Sequence, residues 1–111
     1  MSLGALIEIL ETEDPNKVVP FGFHKPHSYR GYYDELAFEP ARDVKVSSML
    51  ADCRRALDAT FTGYKGGEYT MRAYTLCWLS MYGYTSEEIL GPTLLRCMLG
   101  HTPWPTEAET T

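Results

Sequence analysis

Residues 18–40, VVPFGFHKPHSYRGYYDELAFEP, decide the fold. Val18, Val19, Phe21 and Phe23 are β-branched and aromatic residues in a short run, which predicts a strand. Pro20 has no N–H to give a ladder, so this strand belongs at a sheet edge or carries a bulge. HKPHSYRGYY (24–33) is dense in turn formers and reads as a loop. Glu35–Glu39, with Leu36 and Phe38 alternating against polar residues, predicts a second strand that Pro40 ends. Strands that come in sequence-adjacent runs rather than alternating with helices predict an antiparallel or mixed sheet, not a doubly wound nucleotide fold.

The same alternation of signals continues outward. Leu3, Leu6, Ile7 and Leu10 recur at helical spacing, with Glu8 and Glu11 opposite, and predict a helix over 3–12 that Pro15 and Asn16 stop. Val46, Met49, Leu50, Cys53, Leu57 and Phe61 form the best helical stripe in the chain, for a second helix opening between Asp43 and Ser47 and running to about Thr60. Lys45 stands where a capping Thr or Ser is expected. FTGYKGGEYTM (61–71) predicts a hairpin turning on Lys65, Gly66 and Gly67. Thr75–Tyr82 is apolar on both faces and predicts a central strand. Thr85 with Glu88 is a capping-box pattern for a last helix, kinked at Gly91-Pro92 and ending near Gly100. The order α-β-β-α-β-β-β-α predicts an α+β domain: a small antiparallel or mixed sheet of four to five strands with helices on one face. One domain spans 1–102, and the Pro- and Glu-rich stretch 103–111 reads as a flexible tail whose Trp104 is available to fold back onto the body.

Composition narrows function. At 44% hydrophobic and 23% charged, the 111 residues suffice for one core without staples, and wholesale disorder is excluded. Three cysteines, Cys53, Cys77 and Cys97, lie among apolar neighbours without a CxxC pair, so they predict buried thiols in a reducing compartment. No apolar run approaches the roughly 20 residues of a bilayer span, and MSLGALIEILETED lacks the basic region of a signal peptide, so a cytoplasmic protein is expected. The net charge of −5 argues against duplex nucleic acid as a partner. Yet between Asp14 and Asp34 there is no acid, while Lys17, Lys25 and Arg30 are present with His24 and His27. That local positive stretch suits a single anionic ligand.

Within it, Arg30 lies beside Tyr29, Tyr32 and Tyr33, with His27 and Ser28 close by. A guanidinium fork matches carboxylate or phosphate, and tyrosines offer π faces and hydroxyls. The competing reading pairs Arg30 with Asp34 or Glu35 and packs the tyrosines on the sheet edge. His24 and His27 are an HxxH pair, but Pro26 between them opposes a helix, and an extended chain at about 3.3 Å per residue holds their Cα atoms about 10 Å apart. With no third ligand at zinc-site spacing, no metal is assigned. GYKGG is not a Walker loop, since Lys65 precedes the glycines and a strand, not a helix, follows. Tyr64, Lys65, Gly66 and Gly67 remain a glycine turn able to close over a ligand. Glu35 with Glu39, and Asp34 with Glu39, are carboxylate pairs better read as a solvated strand edge. Arg54 and Asp58 predict an i,i+4 ion pair, leaving Arg55 the freer charge. No nucleophile motif occurs, so no catalytic residue and no cofactor are assigned.

HSYRGYYDELAFEP (27–40) and FTGYKGGEYTM (61–71) resemble motifs of an uncharacterised class of small proteins encoded by tailed phages, especially those infecting actinobacteria. The likeness extends to the acidic N-terminal helix, the VVPFGF strand and the strand ending Met81-Tyr82-Gly83, and covers about residues 5–100. It implies a phage product in a bacterial cytoplasm that binds a host protein or sequesters a nucleotide signal. It carries over no site residues. The expected function is therefore a non-enzymatic protein holding a small anionic, nucleotide-like ligand with His27, Tyr29, Arg30, Tyr32, Tyr64, Lys65, Gly66 and Gly67. The alternative is a module that inhibits or redirects a host factor. A 111-residue chain has little interior for a ligand pocket of about 300 Å³ or more, so the pocket is expected between subunits of a homo-oligomer.

Overall fold

A computed structural model describes residues 1–63, 65–80 and 88–101. Its elements run α1 (Leu3–Glu11), β1 (Val18–Tyr29), β2 (Tyr32–Lys45), α2 (Val46–Ala56), β3 (Thr60–Thr62), β4 (Glu68–Thr70), β5 (Cys77–Leu79), β6 (Glu88–Ile89) and α3 (Pro92–Met98). The α+β class is as the sequence predicts. A four-stranded mixed sheet has the order β1-β2-β5-β6, with β5 parallel to β2 and the other pairs antiparallel. The predicted fourth and third strands, β4 and β3, form a separate two-stranded sheet instead of extending the main one.

The opening stretch is one long hairpin. Residues 24–29 continue β1, correcting the loop expected there, and Pro40 does not stop β2, which runs on to Lys45. A bulge absorbs the turn formers: the register shifts between His24 and His27, where Lys25 takes a positive φ of 50°. Pro20 and Pro26 are tolerated because β1 is an edge strand. Gly31, at φ 102°, closes the hairpin between Tyr29 and Tyr32.

One core joins the helices to the sheet. Leu3, Leu6 and Leu10 of α1 and Val46, Met49, Leu50 and Cys53 of α2 are buried with Phe23, Leu36, Phe38 and Cys77. Ser2 caps α1 by accepting from the Ala5 N–H, at 3.2 Å. Lys45 supplies no such cap to α2; instead the Val46 N–H reaches the Lys17 carbonyl at 2.9 Å. α2 ends at Ala56, short of Thr60, because Leu57 is extended and Asp58, at φ 63°, donates its N–H to the Met71 carbonyl at 2.7 Å.

The last helix also begins later than its capping-box pattern suggests. Glu88 lies in β6 opposite Leu79, and α3 starts at Pro92, where a residue without an N–H costs a helix nothing. Thr85, Met81-Tyr82 and the tail from 102 lie outside the described residues. Arg54 pairs with Glu11 at 2.8 Å, tying α2 to α1, rather than with Asp58, which binds Arg72 at 3.0 Å. Arg55 is not a spare charge, since it pairs with Asp52. Among the described helices, none is long and apolar enough to cross a membrane.

Candidate functional site

The tip of the β1–β2 hairpin and the β3–β4 hairpin meet. Tyr33, at the start of β2, stacks on Tyr69 of β4 with ring centroids 5.7 Å apart and planes at 27°. Gly63, where the second turn begins, lies against both rings: a Cβ there would stand 2.9 Å from Tyr69 and 3.1 Å from Tyr33. The turn itself is closed by N–H groups of Gly63 and Gly66 on the carbonyls of Gly67 and Gly63, at 2.6 and 2.9 Å, with Gly66 at φ 98°. The tyrosine-rich turn at Gly31 and the diglycine turn at Gly66 are thus joined through an aromatic pair.

Beside this junction three rings lie nearly parallel. The centroids of Tyr29 and Trp78 are 4.6 Å apart with planes at 10°. Those of Tyr29 and Tyr32 are 6.2 Å apart at 16°, and those of Tyr32 and Trp78 6.3 Å apart at 6°. Stacked rings in contact lie about 3.5 Å apart, so a pile of three layers would separate its outer members by roughly 7 Å. No pair is that far apart, so the rings occupy two layers. Tyr29 and Trp78 are too close to lie side by side and take different layers. Tyr32 is aligned more closely with Trp78 and is 59% exposed, whereas Tyr29 is 2% exposed. Tyr29 is therefore the covered ring, Trp78 lies half-buried against it, and Tyr32 is the exposed ring of the three.

The sheet register holds Trp78 in place. Trp78 pairs with Ala37 on one side and Ile89 on the other, and Ala37 pairs with His27, so one transverse row crosses all four strands on one face. The indole Nε1 donates to Oε1 of Glu35 at 2.6 Å, a short charge-assisted bond that fixes the ring's rotation. The Ser28 hydroxyl donates to the Tyr33 carbonyl and braces the hairpin tip.

The expected site residues divide accordingly. Tyr32 and Lys65 are exposed, Arg30 is half-buried at the hairpin tip, and Gly66 and Gly67 are exposed in the second turn. His27 is buried, its Nδ1 3.1 Å from the Lys25 carbonyl, and Tyr29 is covered by Trp78, so both support the surface from beneath. Tyr64 lies outside the described residues. Trp78 is the contributor that sequence reasoning missed: it stood out there only as a strand residue, and nothing local announces which tyrosines a parallel neighbour will bring to it. Among the described residues, no group of three His, Cys, Asp or Glu side chains is placed to hold a metal.

The thiols sit on the other side of the chemistry. Burial pushes Cys77 up to about 12, with the N-terminal ammonium opposing and Glu35 adding to the rise. Burial, then Cys77, then Asp52 push Cys53 up as well. Neither is a thiolate nucleophile at neutral pH. A separate cleft of about 220 Å³ between α1 and α3, floored by Ile9, Leu95 and Leu99 and rimmed by Glu13 and Arg96, includes none of the loop residues. It is below the size of ordinary ligand pockets, about 300 Å³ and upward.

No family model matches the chain, and neither the curated proteins nor the solved structures contain a match.

Proposed function

We propose that the chain is a non-enzymatic binding protein for a small anionic, nucleotide-like ligand, held where the two turns meet. The observation that carries this is the exposed ring of Tyr32, parallel to half-buried Trp78, on the hairpin whose Tyr33 stacks on Tyr69 of the other. A flat π surface accepts a base, and Arg30 and Lys65 belong to the two turns that the junction unites. In the ligand-bound state Arg30 and Lys65 neutralise the anion, Tyr32 stacks on the planar part, and Gly66 and Gly67 let the backbone approach. This surface is open rather than enclosed, so a second copy of the chain closes it, and the working form is a homo-oligomer. On the resemblance to small phage proteins, the biological role is removal of a nucleotide signal in a bacterial host.

Calorimetry against a panel of mononucleotides tests this. Arg30→Ala and Lys65→Ala should each weaken binding at least ten-fold, and unchanged affinity in both would refute the proposal. A second reading draws on the exposed Tyr74, Leu76 and Ile89, with Tyr74 80% accessible. Such groups are common anchors of protein interfaces, and the chain would then inhibit or redirect a host factor. Native mass spectrometry after purification from host lysate separates the two: a retained small molecule supports the first, a stoichiometric protein partner the second.

A further inference from the structure

The cleft between α1 and α3 lies apart from the two turns, and its lining has a chemistry of its own. Pro92, Leu95, Arg96 and Leu99 recur at i, i+3, i+4 and i+7, the spacing of one helical stripe, and all four line the cleft. Three of them are apolar, as a stripe that packs on a neighbour requires. The fourth is Arg96, and among the described residues it has no ion pair or side-chain hydrogen bond. Ile9 of α1 joins Leu95 and Leu99 in an apolar floor, and Arg96 stands exposed at the rim.

The carboxylate on the same rim does not answer that cation. Glu13 is held by His101 and by Lys17, whose Nζ lies 3.9 Å from Oε2. Lys17 also donates to the Leu99 carbonyl. The Ile9 carbonyl accepts both the Thr12 N–H, at 3.1 Å, and the Thr12 hydroxyl, at 2.7 Å. An ammonium group entering the cleft therefore meets acceptors already in use, whereas an anion meets an open guanidinium.

A guanidinium presents paired N–H groups that match the two oxygens of a carboxylate. A phosphate ester carries more charge than one such cation offsets, and Glu13 disfavours a second negative charge at the rim. Volume limits the rest of the ligand. At about 30 Å³ for each water-sized group, the cleft of about 220 Å³ holds roughly seven non-hydrogen atoms. A carboxylate group takes three of these, which leaves about four carbons to cover the floor.

We propose that the α1–α3 cleft binds a small monocarboxylate with a short aliphatic body, its carboxylate clamped by Arg96 and its carbons laid on Ile9, Leu95 and Leu99. The site uses none of the residues of the nucleotide reading, and the two stand or fall separately.

The test titrates the full, isotope-labelled chain with isovalerate and follows the backbone amide shifts of residues 9–13 and 93–99 by NMR. Isovaleramide keeps the shape without the charge, isopentylamine reverses the charge, and acetate lacks the aliphatic body. Isovalerate should give saturable shifts, with an affinity about ten-fold or more above the amide and the amine, the margin of hydrogen bonds to a charged group. Acetate should be weaker by about ten-fold or more as well, for want of buried carbon. Arg96→Gln should lower isovalerate to the level of the amide while urea stability stays unchanged, because Arg96 holds no other described residue in place. Equal affinity for acid and amide, a preference for the amine, acetate binding as tightly as isovalerate, a preference that survives Arg96→Gln, or shifts that never saturate would each overturn the assignment.

Discussion

Gly63 shows how a single missing side chain sets the geometry of the candidate site. Its α-carbon faces the edges of Tyr69 and Tyr33, with room for hydrogen but not for a methyl group. Gly63→Ala should force the two rings apart and cost about 1–3 kcal/mol, as overpacking of a filled contact does; urea denaturation followed by far-ultraviolet circular dichroism checks it. Trp78 is the complementary case, a residue whose polar edge matters as much as its surface. Trp78→Phe keeps a ring over Tyr29 but removes the N–H that Glu35 accepts. A lost hydrogen bond to a charged group is worth about 1.5–3 kcal/mol. Water can reach Glu35, so the cost should fall at the lower end of that range, while affinity for a stacking ligand drops more than stability does.

Among the described residues the hairpin β3–β4 forms a sheet of its own, and side chains hold it to the body of the protein. Tyr69, against Tyr33 and the core, anchors it together with Phe61 of β3, which also packs on the core. Tyr69→Ala should therefore raise hydrogen exchange at the β3 and β4 amides at least ten-fold. The Leu36 amide, bonded to the Leu76 carbonyl at 2.9 Å between β2 and β5, should keep its protection. Equal loss at both places would mean that the hairpin is part of the main cooperative unit. Much of this element structure was legible in the sequence, because helical stripes and glycine turns are local signals: the α2 stripe from Val46 to Cys53 and the turn at Lys65–Gly67 stand where the pattern put them, while Leu57 and Phe61 of the same stripe lie beyond the helix. Two features were not. Turn formers at 24–29 were read as a loop because a bulge at Lys25, which lets a strand carry them, depends on the partner strand. The Tyr29–Trp78–Tyr32 array was invisible because the register of a parallel pair is fixed by the whole core, not by either strand. The Thr85–Glu88 pattern misled for the same reason, since pairing of Glu88 with Leu79 overrode its helical signal.

At the scale of the whole molecule, the core takes its thiols from both layers, Cys53 from α2 and Cys77 from β5, and both are fully buried. Their protonation links the fold to alkaline pH. An unfolded thiol gives up its proton near the ordinary value of 9.0, whereas Cys77 holds its proton to about 12 in the native protein. Between those values the native state binds more protons than the unfolded state, so stability falls as pH rises. The contribution is complete below pH 9 and is progressively lost toward 12, at about 1.4 kcal/mol per pH unit for each such thiol once the unfolded form is fully ionised. Cys53, raised by burial in the same direction, adds to the effect. The expected result is a stability curve from urea melts that declines from about pH 9 to 11. In a variant carrying Cys53→Ala and Cys77→Ala the decline should be shallower by about 1 to 3 kcal/mol per pH unit. That variant is less stable at pH 7 because of the cavities, but the slope is the diagnostic. Every other group is common to the two proteins and cancels in the difference. Parallel slopes would mean that the thiols reach solvent in the native state and that the two layers are packed less tightly than their burial implies.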